Sequence, residues 1–260
     1  MLSTYTSYKL IAKDLQKSLD RTASSPITAR ETKYYLEKIG NVKSIDDLLA
    51  DHRLYSYAMK AHGLEDMIYA KAFMRKVLAE GIDNKEAFAN RLTDTKYKAF
   101  AETFNFARYG ELATSFDRAQ KGTVDNYIRQ TLEISAGEDD QGVRLALYFS
   151  RKAPEIKNVY DILADTALRA VVLTALSIPD EAAAGNIDAL AATIKKRLDI
   201  GSLKEPKEVD RFLKRFTSLW DVKNNASSSP ILTLFTGASS SSGLNADLLF
   251  SLQNVKRGSY

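Results

Sequence analysis

RETKYYLEKIGNVKSIDDLLADHRLYSYAMKAHGL, residues 30–64, returns 114 positions later as RLALYFSRKAPEIKNVYDILADTALRAVVLTALSI, residues 144–178. The two stretches align without a gap, and ten of the 35 positions are identical, among them Tyr34/Tyr148, Lys43/Lys157, Asp47/Asp161, Asp51/Asp165 and Ala61/Ala175. Chance would give about two. Most other pairs keep their apolar character, as in Tyr35/Phe149, Leu48/Ile162 and Leu64/Ile178. A chain that contains itself twice must bury the apolar face of each copy against something, and the nearest candidate is the other copy.

The repeated stretch reads as helices with marked ends. Ser44 followed three residues later by Asp47 is a helix-start signal, and Asn158 with Asp161 is its counterpart. Asp51 and Asp165 are read as N-caps of the next helices, over 52–62 and 166–176, because a short carboxylate satisfies the free N–H groups there and complements the helix dipole. These helices end at His62-Gly63 and at Ser177-Ile178-Pro179. A helix over about 27–39 precedes them, with Gly40-Asn41 as an end tolerant of the left-handed conformation.

Outward from this core the similarity continues after an insertion. Met74–Leu78 pairs with Ile194–Leu198, and Phe100–Phe104 with Phe212–Phe216. At the start, Tyr8, Ile11, Ala12, Leu15 and Leu19 share one helical face. The expected organisation is an amphipathic N-terminal helix over 1–27, a helical module over 28–112, and a connecting helix and loop over 113–141. A second module follows over 142–222, then a flexible tail over 223–260 with short apolar peptides. Ala113–Leu132 is the expected connecting helix, and the run Ala136–Gly142 reads as turn. The fold class is all-α: a multihelical chain of two tandem pseudo-symmetric modules packed together, with a Ser-rich C-terminal tail. In that tail Leu244, Leu248 and Leu252 fall on one helical face and are the candidate partner-binding residues.

Composition bounds the function. Apolar residues make up 45% and charged residues 27%, with a net charge of +4, the ordinary balance of a globular protein. Basic residues alternate with acidic ones along most of the chain, so no nucleic-acid partner is expected. The basic end of the second module, from Lys195 to Arg215, reads as a solvated helix face. No apolar run is long enough to span a bilayer, and the start lacks the continuous apolar stretch of a Sec signal peptide. The absence of cysteine removes disulfides and thiolate chemistry.

The sequence carries no recognisable catalytic constellation. His52 and His62 are the only histidines, and neither has a second ligand at metal-binding spacing. His62 precedes Gly63 at a helix C-terminus, a place that favours an imidazolium and a structural role. No glycine-rich phosphate loop or nucleophile elbow occurs. The doubled pairs Asp47/Asp51 and Asp161/Asp165 could line a symmetric site between modules, but capping explains them more cheaply. No catalytic, cofactor-binding or metal-binding residue is assigned. The structural caps are Ser44, Asp47, Asp51, Asn158, Asp161 and Asp165.

Several strings carry a resemblance: Ser44–Asp51, Gly63–Asp66, Ala70–Phe73, Phe104–Gly110, Gly142–Phe149 and Asp161–Asp165. Over about residues 1–235 the chain resembles the family called domain of unknown function 1217. The resemblance implies a multihelical, internally duplicated fold, an alphaproteobacterial setting and genes that lie among flagellar genes. It implies no activity and no catalytic residue. The expected function is therefore a non-enzymatic flagellum-associated structural, export-linked or assembly protein. It would act through contacts with other proteins, flagellar components above all, in the cytoplasm or on the flagellum. The alternative is a small-ligand binder or enzyme with its site in the groove between the two modules.

Overall fold

Asp14 divides the amphipathic N-terminal segment in two. Residues 2–224 are described in the computed structural model, and their first helix, α1 (Thr4–Lys13), ends where Asp14 leaves helical geometry. The Asp14 carboxylate then accepts from the Lys17 N–H and caps α2 (Leu15–Ala23). The single N-terminal helix expected from periodicity is thus a pair, because a capping side chain outcompetes continued helix at that point.

The first copy follows. Pro26, which has no N–H to leave unsatisfied, opens α3 (Pro26–Ile39). Gly40 does not take up the left-handed conformation expected of it, since its φ is −65°. Next come α4 (Ile45–Ala50), α5 (His52–Ala61), α6 (Lys71–Glu80), α7 (Phe88–Arg91), α8 (Thr95–Thr103) and α9 (Phe106–Tyr109). The connecting helix α10 (Lys121–Asp139) starts later and runs further than expected. It passes through Gly137, where a Cβ would lie 2.8 Å from the Arg144 side chain. The glycine there serves close packing rather than a turn. Asp140 then leaves helical geometry and accepts from the Gly142 N–H at 2.7 Å, so one residue does the work of the expected turn-rich run.

The second copy comprises α11 (Gln141–Lys152), α12 (Val159–Ala164), α13 (Thr166–Ala175), α14 (Ile187–Arg197) and α15 (Pro206–Asn224). Its packing repeats that of the first. α3 meets α5 as α11 meets α13, and α4 meets α6 as α12 meets α14. The fold is all-α, with no strand among the described residues, and no helix among them is long and apolar enough to cross a membrane.

The equivalent helices carry equivalent cores. Tyr35 and Phe149, at matching positions, are both fully buried. Tyr35 stacks on Tyr57 at 4.4 Å and Tyr57 on Tyr127 of α10 at 3.7 Å, so the connecting helix completes the first core. Phe149 stacks on Phe212 of α15 at 5.3 Å. α10 packs against α5 on one side and α11 on the other, which puts it between the copies. Residues 1–219 form one compact unit, and a second unit begins at Trp220. Of that second unit only the end of α15 is described. The expected flexible tail beyond residue 224, with Leu244, Leu248 and Leu252, lies outside the described residues.

Candidate functional site

Six capping side chains prepare the helix starts of both copies in the same way. Ser44 Oγ accepts from the Asp47 N–H at 3.1 Å, and Asp47 returns the contact by accepting from the N–H groups of Ser44 and Lys43. Asn158 accepts from the Asp161 N–H, and Asp161 accepts from the N–H groups of Asn158 and Lys157. Asp51 accepts from the Leu54 N–H at 3.0 Å, and Asp165 from Leu168 at 3.0 Å. Each of these last two also accepts a phenol, Tyr34 on Asp51 at 2.6 Å and Tyr148 on Asp165 at 2.5 Å.

These contacts shift ionisation. The Lys43 N–H and the Ser44 contacts hold the Asp47 carboxyl below its ordinary range. Burial pushes the Asp51 carboxyl up, but the hydrogen bonds from Tyr34 and the backbone outweigh it, so its pKa is lowered. Burial, with the charge and hydrogen bond of Asp165, raises the Tyr148 phenol far above its usual value.

The likeness of the copies ends at the surface between them. A cleft of about 300 Å³ lies there, with His62 of the first copy's α5 turn and Lys96 of α8 on one wall. Tyr148, Arg151 and Lys152 of α11, with Asp161 and Asp165, form the other wall, and Gln130 of α10 faces it between them. Asp47 and Asp51 do not reach the cleft. In the first copy Arg53 covers the corresponding tyrosine, its guanidinium 4.0 Å from the Tyr34 ring centre and held by both oxygens of Glu31. In the second, Arg151 lies 5.1 Å from the Tyr148 ring centre and is held by Glu133 of α10.

The ionisable groups of this cleft are mostly committed. Asp161 and Asp165 spend their oxygens on caps, on Asn158 and on Tyr148. Arg151 pairs with Glu133, and Lys152 with Glu155 at 2.7 Å. His62 lies 2.9 Å from the Ala58 carbonyl through Nδ1 and 3.1 Å from Thr103 Oγ1 through Nε2. A carbonyl only accepts, so the contact assigns a proton to Nδ1. Burial, partly offset by the Ala58 hydrogen bond and reinforced by nearby Lys152, lowers the His62 pKa to about 4. The imidazolium expected at this helix end is therefore replaced by neutral imidazole, because desolvation outweighs the dipole.

Two lining groups are less engaged. Lys157 has no ion pair or side-chain hydrogen bond among the described residues, whereas its counterpart Lys43 lies 3.5 Å from Glu111. Gln130, only 8% exposed, has no hydrogen-bond partner among the described residues. Neither stands out as chemistry in the sequence. The signal for Gln130 was a polar residue on the stripe Thr123, Tyr127, Gln130, whose spacing marks the buried face of α10. No group of three His, Asp or Glu side chains placed to hold a metal occurs among the described residues.

Comparison with known proteins agrees with this architecture. A family model described as "Protein of unknown function (DUF1217)" matches residues 61–209. A crystal structure of a protein from Agrobacterium tumefaciens, a structural-genomics target, is 52% identical and superposes with a TM-score of 0.79, covering 86% of this chain and 97% of that one. No curated protein matches the sequence.

Proposed function

The chain belongs to the DUF1217 family, and from that membership we propose that it is a non-enzymatic, flagellum-associated protein that acts through contacts with other proteins. One observation carries the non-enzymatic part. The carboxylates and the histidine of the inter-copy cleft are engaged in caps, ion pairs and buried hydrogen bonds, which leaves none of them poised as a general acid or base. The flagellar part rests on the gene neighbourhood that the family resemblance implies.

Affinity capture from motile cells, with separate cytoplasmic, basal-body and filament fractions, is expected to recover flagellar components with the protein. Deletion of the gene is expected to shrink the swimming ring in soft agar, and a wild-type ring would overturn the proposal. A second reading, small-ligand binding in the groove between the copies, is favoured by Gln130, a mostly buried residue whose side chain lines that groove with no hydrogen-bond partner among the described residues.

A further inference from the structure

The basic stretch near the end of the second copy is not one solvated face, because two of its lysines rim a recess. α1 lies against α11 of the second copy. Between α1, the end of α11 and the start of α15 is a recess of about 630 Å³. Its floor is Tyr8 of α1, Leu203 of the short turn Ile200–Lys204, and Val209 of α15, all buried. Lys9 and Lys13 of α1 line one side, and Lys204 and Lys207 the other, all four exposed.

Positive charge is in surplus here. Asp210 is the one carboxylate in the lining among the described residues, and both its oxygens are taken. It accepts from Lys9 Nζ at 2.9 Å and from the Tyr5 hydroxyl at 3.2 Å. Lys13, Lys204 and Lys207 are left with no ion pair or side-chain hydrogen bond among the described residues. Of the carboxylates that adjoin the lining in sequence, Glu155 pairs with Lys152, Glu208 with Arg211, and Asp14 caps α2. Only Glu205 is uncommitted. At the register that pairs Phe100–Phe104 with Phe212–Phe216, Lys204 and Lys207 match Leu92 and Thr95, so the duplicated fold does not need lysine there.

The anatomy selects a peptide. Small-ligand sites fix their occupant with a few placed polar groups inside the pocket. Here the buried floor is largely apolar and the charges stand exposed around it, which is the arrangement of a protein interface. A bilayer surface is flat on this scale and does not follow a recess between helices. Nucleic acid is held by arginine forks and open ring faces. The lining has no arginine, and its aromatic ring, Tyr8, is 4% exposed.

We propose that this recess docks an acidic segment of a partner protein. Its apolar side chains rest against Ala12, Pro154 and Pro206 above the floor, and its Asp or Glu residues face Lys13, Lys204 and Lys207. The chain's own end lacks that chemistry, since residues 225–260 hold one acidic residue, Asp247, and two basic ones, Lys256 and Arg257. The inference rests on the reading of the protein as one that acts through protein contacts, and is independent of the flagellar setting.

The test is selection of displayed random peptides on the full chain, followed by amide NMR and calorimetry with the strongest synthetic peptide. Selected peptides are expected to combine Asp or Glu with large apolar residues and to shift the backbone amides of Ala12, Lys204 and Lys207. They should bind the double variant Lys204→Glu, Lys207→Glu about tenfold or more weakly, since two attractions become repulsions. Both side chains are exposed and unpaired, so the variant should melt at the parent's temperature. A selection that enriches no peptide, or peptides without acidic residues, or peptides that bind the variant equally, would overturn the proposal. So would phosphatidylglycerol vesicles or duplex DNA displacing the peptide through the same lysines, or a dimer of the chain that the variant fails to form. Affinity capture from motile cells separates the two readings. Partners recovered equally by parent and variant would remove the recess and leave protein contacts standing, whereas no partner recovered by either would remove both.

Discussion

Tyr35 and Tyr55 are both fully buried, yet only the Tyr35 hydroxyl has a partner, the Ala119 carbonyl at 2.6 Å. The Tyr55 hydroxyl has none among the described residues, and burial pushes its pKa up to about 12. Removing an unsatisfied hydroxyl costs nothing that was gained on folding. Tyr55→Phe is therefore expected to be neutral or to stabilise by about 1 kcal/mol, and Tyr35→Phe to destabilise by about 1 kcal/mol. Urea unfolding of the two variants checks the contrast, and an equal loss in both would refute it. His62 supplies a pH-dependent counterpart. Its pKa falls from about 6.5 in the unfolded chain to about 4 in the fold. The unfolded state therefore binds the extra proton first. The stabilisation is complete above pH 6.5 and is lost as the pH falls towards 4, by about 3 kcal/mol in all. His62→Leu places the residue of the matching position, Leu176, at the same buried turn. Stability measured at pH 7.5 and pH 4.5 should then differ less than in the parent chain, and an unchanged difference would discount His62.

Helix ends are where the two copies are most alike, and one of them is strained. After α5 the Leu64 N–H reaches back to the Met59 carbonyl at 2.9 Å, and after α13 the Ile178 N–H reaches the Leu173 carbonyl at 2.8 Å. Both turns need a left-handed residue. The first has Gly63, whereas the second has Ser177 at φ 53°. Ser177→Gly should stabilise by about 0.5–1 kcal/mol, since the relief of left-handed strain exceeds the entropy glycine adds to the unfolded chain. A fall in the chemical-denaturation midpoint would contradict this. The last carbonyls of α4 and α12 show a looser kind of equivalence. Leu49 accepts from Lys71 and Leu163 accepts from Arg169, so each copy finds a cation from a different place. Helix starts were legible from Ser44, Asn158, Asp51 and Asp165, because a cap acts on the next three residues and needs no tertiary context. Asp14 and Gly137 were not legible, since capping against continuation, and packing against turning, are decided by neighbours distant in sequence.

At the scale of the molecule, α10 is joined to the second copy by charge. Glu133, 1% exposed, accepts from Arg129 at 2.8 Å and from two nitrogens of Arg151 at 2.9 and 2.8 Å. Burial disfavours the Arg151 charge, and Glu133 more than restores it. Glu133→Ala would leave the buried Arg151 guanidinium without its acceptor and Arg129 with the Leu147 carbonyl alone, and a loss of about 3–5 kcal/mol is expected. Calorimetric melting checks it, and a change below about 1 kcal/mol would show that the triad is dispensable. The duplication, and with it the all-α class, was readable because apolar spacing and caps recur at a constant offset. The cleft was not, because its distinguishing groups lie outside the repeat, as Gln130 does, or differ between copies in what meets them, as Lys43 and Lys157 do.

The stack of Tyr35 and Tyr57 on Tyr127 also sets an order of events during synthesis. A ribosome that has delivered α3 to α9 has delivered a core still missing one face, which closes only after α10 emerges. By then the start of the second copy follows directly behind. The protein is made as two repeats but is not finished as two, and the nascent first copy stays open to chaperones and proteases until the helix it shares with the second has been translated.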